Sequence, residues 1–308
     1  MSLIGRGLTI ERSHMFDINR RVTAHVTSRS WNETPHATYL YEPDITDFYN
    51  HYMDRRGHLE NGNRVTFTVI MIKAIAEALK VSPKLNALLY YNKKTKVGIH
   101  HHLKEISIAI PYLLEDNRMI TPTIHNAGDK TLHQIADALQ DIKRRIRNTD
   151  IDAMQYIVAK KELLFQLKHF QFNVIRQLLH TWIGKHRLKL SRKQVKDYLL
   201  IPDSEKITPH DIFEASVLVS NLGSIFKHQR GGITLLNLIS PQVFAVAINA
   251  LQNRPVVYTE NNQQKIGIRK ILPLSLTIDH RALDGVDFIP FQNQMDMIFS
   301  NPSIIDTW

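Results

Sequence analysis

The chain has 308 residues, of which 43% are hydrophobic and 22% charged, so it is long and apolar enough to bury a large core. It contains no cysteine, which excludes disulfide bonds, a thiol nucleophile and any cysteine-ligated metal site. Residues 1–13 hold no apolar run typical of a signal peptide, and no stretch has the roughly 18 apolar residues that span a bilayer. We therefore expect a soluble, cytoplasmic protein.

The net charge of +10 is concentrated in one part of the chain. The segment from Lys143 to Tyr198 holds 14 Lys and Arg against 4 Asp and Glu, whereas the remainder has 25 of each kind. A basic excess confined in this way is typical of a surface that contacts an anionic partner. A solvated helical hairpin packed on the domain would have the same composition, and both interpretations stay open.

The predicted elements mix helices and strands without strict alternation. Periodicity and capping predict helices at Arg20–Ser30, after the sequence D-I-T-D-F at Asp44–Phe48, and at Thr66–Leu79, Thr131–Arg147 and Phe288–Phe299. Strand patterns occur at Ala37–Glu42, Lys96–His100, Ile106–Tyr112, Met119–Ile124, Ser216–Ser220, Val243–Asn249, Lys265–Leu274 and Leu274–Asp279. An apolar stripe in the basic segment, from Ile175 to Ile183, also has helical spacing. Together they predict an α/β sandwich with a large mixed sheet.

The segment most informative about chemistry is S-L-T-I-D-H-R-A-L-D-G, from Ser275 to Gly285. A strand ends there in Asp279 and His280, and Asp284 follows in a turn. Histidine titrates near neutral pH, and a neighbouring carboxylate can hold such a loop in place by an ion pair. Any one of the 16 histidines is more often structural than catalytic, but the two flanking carboxylates favour a site at His280.

The motif D-H-R-A-L-D-G resembles the D-H-R-x-x-D-G signature of the acyltransferase component of 2-oxo acid dehydrogenase complexes. Chloramphenicol acetyltransferases share the fold of that component and have a shorter form of the motif. Further segments resemble that catalytic domain in the same order, at Arg20–His36, Phe67–Leu79, Ser82–Ala87, Ile120–Ala136, Val219–Ile225, Ile239–Ile248 and Ile298–Ile305. The resemblance implies a chloramphenicol acetyltransferase-like two-layer sandwich. It would comprise an N-terminal arm at 1–19 and a catalytic domain at 20–308, with a basic helical insertion at about 150–204.

The resemblance also implies catalytic roles, in acyl transfer between a thioester and an acceptor. His280 would be the general base that takes the proton from the attacking thiol. Ser220, in the motif S-N-L-G, would donate its hydroxyl to the oxyanion of the tetrahedral intermediate. Asp284 would brace the loop by an ion pair. Asn221 and Gly223 in S-N-L-G, with Arg281 in the second motif, are the residues expected to bind the acyl-carrying cofactor.

The expected cofactor is coenzyme A or a phosphopantetheine or lipoyl carrier, and the expected assembly is a homotrimer in which His and Ser meet across the interface. A larger cage, an acyl carrier protein and a separate lipoyl domain are further partners that the resemblance allows. We expect no metal, because His100 and His102 share a strand face without a carboxylate pair. We expect no nucleic acid, because the aromatic residues of the basic segment follow a helical stripe.

The sequence departs from the family pattern at three places. The arginine usually found late in the first helix, which can pair with the motif aspartate, is Val26 here. The partner of Asp284 therefore stays open among Arg21, His25 and Arg29. Phe226 and Lys227 replace a glycine pair, and no lipoyl domain precedes the matching region, so the acyl carrier should be free or borne by another protein. The alternative function is a non-catalytic scaffold that binds an anionic partner through the basic insertion.

Overall fold

The computed structural model describes residues 11–13, 15–16, 18–57, 65–116, 118–158, 191–228 and 230–308. The helices are α1 (Ile18–Glu33), α2 (Thr46–Arg55), α3 (Phe67–Lys80), α4 (Leu132–Arg147), α5 (Arg192–Leu200), α6 (His210–Phe213) and α7 (Ile289–Ser300), and residues 151–158 are also helical. Short 3-10 helices lie at Ala127–Asp129, Gly285–Phe288 and Pro302–Thr307. The strands are β1 (His36–Tyr41), β2 (Ala87–Asn92), β3 (Val97–His102), β4 (Ile108–Ala109), β5 (Tyr112–Leu113), β6 (Met119–Ile120), β7 (Thr123–Ile124), β8 (Val217–Asn221), β9 (Phe244–Ile248), β10 (Gln252–Glu260), β11 (Gln263–Ile271) and β12 (Leu274–Asp279).

The central sheet has six strands in the order β1-β12-β9-β8-β4-β7. It is mixed, because β8 runs parallel to both β9 and β4, whereas the pairs β1–β12, β12–β9 and β4–β7 are antiparallel. Three two-stranded sheets accompany it, formed by β2–β3, β5–β6 and β10–β11. The α/β class with a large mixed sheet that the sequence predicts is confirmed.

The two faces of the central sheet differ in chemistry because side chains alternate along each strand. One face carries large aliphatic side chains that belong to the main hydrophobic core, among them those of Val219, Val246, Leu274, Leu276 and Ile278. The other, here called the polar face, carries the small or polar side chains of Ser220, Ala245, Ala247, Ser275 and Thr277. A coil segment crosses the polar face, where the Ser275 hydroxyl donates to the Ile233 carbonyl and the Leu236 N–H donates to the Thr277 hydroxyl.

Helix α3 shows how the apolar face is covered. Ten of its 14 residues are buried, and the hydroxyl of Thr66 caps its first turn by accepting the N–H of Val69. The helix stops at Lys80, three residues before Pro83, as the sequence predicts. It packs on α7, so both long apolar helices lie on the same side of the sheet.

Several strand predictions differ from the structure in their extent. The predicted strands Ile106–Tyr112 and Met119–Ile124 are each divided into two short strands. Pro111 and Pro122 stand at the breaks, since proline cannot donate to a ladder. Strands β2 and β10 were not predicted. The apolar stripe Ile175–Ile183 and most of the basic insertion lie outside the described residues. Within the described part of the chain, no helix has the length and apolar character needed to cross a membrane.

Candidate active site

The backbone around His280 is held from both sides. All six residues of β12 are buried, and the strand is flanked by β1 and β9. At its end the Asp279 N–H donates to the Val243 carbonyl at 2.9 Å, and the His280 N–H donates to the Pro35 carbonyl at 2.9 Å. The imidazole itself is half exposed, with 51% of the side chain accessible. A rigid backbone therefore presents an accessible ring.

The contacts of the imidazole determine which of its nitrogens is basic. Nδ1 of His280 lies 2.9 Å from the carbonyl oxygen of Leu283 and 3.4 Å from Oδ1 of Asp284. A carbonyl oxygen can only accept, so Nδ1 must carry a proton and donate to it. The neutral ring then keeps its lone pair on Nε2, which is the nitrogen able to take a proton from a substrate.

Asp279 and Arg281 form a tight ion pair under the loop. The Asp279 side chain is only 2% exposed, and its carboxylate accepts from Arg281 at 2.6 Å through Nη2 and at 2.9 Å through Nε. The guanidinium also donates to the Glu33 carbonyl at 2.9 Å, which joins the end of β12 to the end of α1. Hydrogen bonding to Asp279 raises the pKa of Arg281. The structure thus gives Arg281 a structural role, and its expected contact with a cofactor stays a prediction.

Asp284 begins the 3-10 helix Gly285–Phe288 and is largely exposed. Its N–H donates to Oδ2 of Asp287 at 2.8 Å, and its carboxylate faces Nδ1 of His280. Arg29, one of the arginines considered as its partner, instead pairs with Glu33 at 3.0 Å. Among the ion pairs described, Asp284 has His280 as its partner once that ring is protonated, and Arg21 and His25 stay open as predicted partners.

The S-N-L-G motif forms the turn after β8. Ser220 is buried in the strand, on the polar face. The amide of Asn221 donates to the Thr68 hydroxyl at 2.9 Å, and its oxygen accepts the Ser224 N–H at 3.1 Å. A Cβ at Gly223 would lie 2.6 Å from a backbone oxygen of the β9 end, so only glycine fits there. Asn221 and Gly223 thus shape the turn, and their binding of a cofactor stays a prediction.

Ser220 and His280 lie at opposite ends of the sheet within one chain. Ser220 pairs with Ala247, and Ala247 pairs with Ser275, five residues before His280. At about 3.3 Å per residue and about 4.8 Å between strands, the two Cα atoms are roughly 19 Å apart. The cause is topological, because β8 runs parallel to β9 and β12 runs antiparallel to it. One chain therefore cannot bring the two side chains to the same carbonyl group.

Two adjacent clefts open beside these elements. The larger, of about 1190 Å³, lies next to the His280 loop, between α1 and the β2–β3 hairpin, and its charged lining consists of Arg29, Glu33, Lys93, Lys94 and Arg281. The smaller, of about 540 Å³, is lined by Leu218 of β8 and by apolar side chains such as Leu88, Leu103 and Ile212. Both clefts share Tyr90, Ser240 and Pro241. Cations outnumber anions in the larger cleft, which suits an anionic ligand.

Two pairs of histidine rings lie in contact with each other. As predicted, His100 and His102 lie on one face of β3, with ring centroids 4.8 Å apart. His125 stacks on His210 at 4.3 Å, and burial lowers the pKa of His125. Across the described ranges, no group of three or more side chains is arranged to hold a metal ion.

Comparisons with known proteins identify the family. The profile described as "2-oxoacid dehydrogenases acyltransferase (catalytic domain)" matches residues 9–156 and 187–305. The dihydrolipoyllysine-residue acetyltransferase component of the pyruvate dehydrogenase complex of Corynebacterium glutamicum is 26% identical over 270 residues. That alignment covers 87% of this chain and 30% of the relative, so the chain spans about a third of that protein's length.

Solved structures show the same fold. The cubic core of a pyruvate dehydrogenase multienzyme complex superposes with a TM-score of 0.64 at 20% identity, covering 96% of this chain and 94% of that one. The dihydrolipoamide acetyltransferase of Azotobacter vinelandii, studied for the catalytic roles of a serine, a histidine and an asparagine, gives the same TM-score, identity and coverage. With the profile matching most of its length, the chain belongs to the family of 2-oxoacid dehydrogenase acyltransferase catalytic domains.

Proposed function

We propose that the protein transfers acyl groups between thioesters, with His280 as general base and Ser220 of a neighbouring copy as oxyanion donor. The observation that carries the proposal is the fixed imidazole, whose Nδ1 donates to the Leu283 carbonyl and leaves Nε2 free to accept a proton. Free thiols have pKa values near 8.5, so a base within hydrogen-bond reach makes more of the thiolate available at neutral pH.

The proposed reaction needs only these groups and the two thiols. Nε2 of His280 takes the S–H proton as the sulfur attacks the thioester carbonyl carbon. The tetrahedral intermediate carries its negative charge on oxygen, to which the Ser220 hydroxyl donates. When the C–S bond to the original thiol breaks, the imidazolium returns its proton to the departing sulfur. The base is thereby regenerated in the tautomer in which it began.

The separation of roughly 19 Å between Ser220 and His280 supports an oligomer in which each site uses two chains. A homotrimer satisfies this requirement with one repeated interface. The similarity to the cubic core supports association of such trimers into a larger cage. The Azotobacter vinelandii enzyme supports a different part of the proposal, the pairing of His280 with Asp284, because its studied asparagine follows the histidine by the same four positions.

The proposed thiols are coenzyme A and a lipoyl or phosphopantetheine group carried by another protein. The lipoyl group is supported by the name of the Corynebacterium glutamicum relative, a dihydrolipoyllysine-residue acetyltransferase. Coenzyme A is supported by the cleft beside the His280 loop, whose lining includes the ammonium groups of Lys93 and Lys94.

The test is turnover of acetyl-coenzyme A with dihydrolipoamide by the full chain and its variants. H280A should lose about two to four orders of magnitude in kcat, as expected when a general base is removed. S220A should lose about two to three orders, the usual cost of one oxyanion donor. H133A, which removes an exposed histidine at the start of α4, is the control and should keep wild-type turnover. Wild-type turnover by H280A would refute the mechanism, whereas the non-catalytic scaffold predicts no turnover by the wild-type chain itself.

A further inference from the structure

A lysine from a distant part of the chain reaches the His280 loop. Lys84 lies in the turn between α3 and β2, and its Nζ is 2.8 Å from Oδ1 of Asp287. The other oxygen of Asp287 accepts the N–H of Asp284, also at 2.8 Å. Asp284 in turn faces His280. Polar contacts therefore link Lys84 to the Asp287 carboxylate, that carboxylate to the Asp284 backbone, and the Asp284 carboxylate to the imidazole.

The carboxylate at the centre of this set is largely enclosed. Only 10% of the Asp287 side chain is exposed, compared with 60% for Lys84. Burial acts to raise the pKa of Asp287, but the Asp284 N–H and the Lys84 ammonium outweigh it and hold that pKa below its ordinary range. The pKa of Lys84 is raised by its hydrogen bond to Asp287. Both shifts mean that the pair stays ionised at neutral pH.

Lys84 is the permanent cation that the structure brings to Asp287. Several titratable or charged side chains lie in or around the loop. Asp284 and Asp287 belong to it, and Lys84 reaches it from the α3–β2 turn. The others are His100 and His102 of β3, the paired Asp279 and Arg281 at the β12 end, Glu33 of α1 and His36 of β1. Burial lowers the pKa of both His100 and His36, which keeps these rings neutral. Arg281 is already committed to Asp279.

We propose that Lys84 is a positioning residue for the acyl-transfer reaction. It supplies the cation for the Asp284–Asp287 pair and holds the turn that orients His280, in a chain whose first helix has Val26 where the family pattern has an arginine. The inference rests on the proposed function of His280. Without Lys84, the Asp284 carboxylate that faces the imidazole and the Asp287 carboxylate behind it have no fixed cation, which favours the protonated ring and loosens the geometry of the turn.

The test compares K84M with K84R and with K80M in the full chain. Lys80, the exposed last residue of α3, is the matched control, because among the contacts described its ammonium pairs only with Glu77, at 2.9 Å. K84M should lower kcat by about tenfold, a typical effect of a slightly misplaced base, with a smaller change in KM. The acid limb of kcat/KM should move to higher pH, because the imidazolium becomes easier to form. K84R should recover most of the wild-type kcat and most of the wild-type pH profile, and K80M should match the wild type in both.

A second variant gives a result of opposite sign. D287N removes a negative charge from the same set, so the acid limb should move to lower pH, and K84M/D287N should lie between the two single variants. If Lys84 had a purely structural role, the variants would have a lower midpoint of thermal unfolding, and the acid limb of the kcat/KM profile would not move in either of them. Wild-type kcat and pH profile in K84M, in a protein that H280A inactivates, would overturn the role of Lys84 while the proposed function stands. Full activity of H280A would overturn the proposed function itself.

Discussion

Two inactive variants should complement each other if each site takes His280 from one chain and Ser220 from another. The ladder places these residues roughly 19 Å apart in one chain, whereas a base and an oxyanion donor must both lie about 3 Å from the reacting atoms. In a closed ring that contains H280A and S220A chains in equal amounts, a site is intact only when an S220A chain supplies the histidine and an H280A chain supplies the serine. Random assembly gives this pairing in about a quarter of the sites.

The assay uses the two variants co-expressed with different affinity tags and purified through both, so that every oligomer contains both chains. In trimers selected in this way, turnover per site should be about a third of the wild-type value, because each mixed ring has one intact site in three, and well above that of either variant alone. A second mixture tests the same geometry with intact chains. When the wild type is co-assembled with the double variant H280A/S220A, about a quarter of the sites are intact if they are shared, and about half if they lie within one chain.

Two outcomes together would contradict a site shared between chains. One is a doubly tagged H280A and S220A oligomer with no more turnover than the mean of its parents. The other is retention of half the wild-type turnover when the double variant is mixed with the wild type. Together they would mean that the strand ends meet within a chain, contrary to the register of β8, β9 and β12.

Three further perturbations should follow from the contacts around the site. R281M should destabilise the fold by about 3 kcal/mol in urea unfolding, because it leaves the buried Asp279 carboxylate without its cation. G223A should cost about 1–3 kcal/mol and lower kcat, because the new methyl group would overlap the backbone at Asn249. For Asp211, burial is outweighed by hydrogen bonds from Arg145 and Thr208, so its pKa lies below the ordinary 3.8. The stability that the Asp211 carboxylate contributes is therefore present above pH 3.8, its ordinary pKa, and is lost as the pH falls through its lower pKa in the folded protein. Comparing unfolding of wild type and D211N at neutral and acid pH should show a flatter profile for the variant.

The sequence predicted the elements whose patterns are local. The strand that ends at Asp279 was predicted from its composition and its motif, and the helix at Thr66–Leu79 from apolar spacing and Pro83. Strand β2 was missed because A-L-L-Y-Y-N shows no alternation. Strand β10 was missed because Pro255 argues against a strand, although a two-stranded sheet has only edges, where proline is tolerated.

The site depends on contacts that no local pattern encodes. The motifs located His280 and Ser220, but only the strand directions show that β12 and β8 run in opposite directions, so that the two residues lie at opposite ends of the strands. The contact of Lys84 with Asp287 joins positions 203 residues apart, and no motif in the sequence predicts that the two side chains meet. The open question of a partner for Asp284 could therefore be answered only from coordinates.

The points where the basic insertion leaves and rejoins the domain are held together. Arg145, in the last turn of α4, donates to Asp211 at 2.8 Å and to the Lys206 carbonyl at 2.9 Å. Next to it, the Ile207 N–H donates to the Thr149 hydroxyl at 2.7 Å. The family profile matches the chain on both sides of residues 157–186 and not within them. Because these contacts close the base of the insertion before the chain enters β8, residues can be added there without moving Ser220.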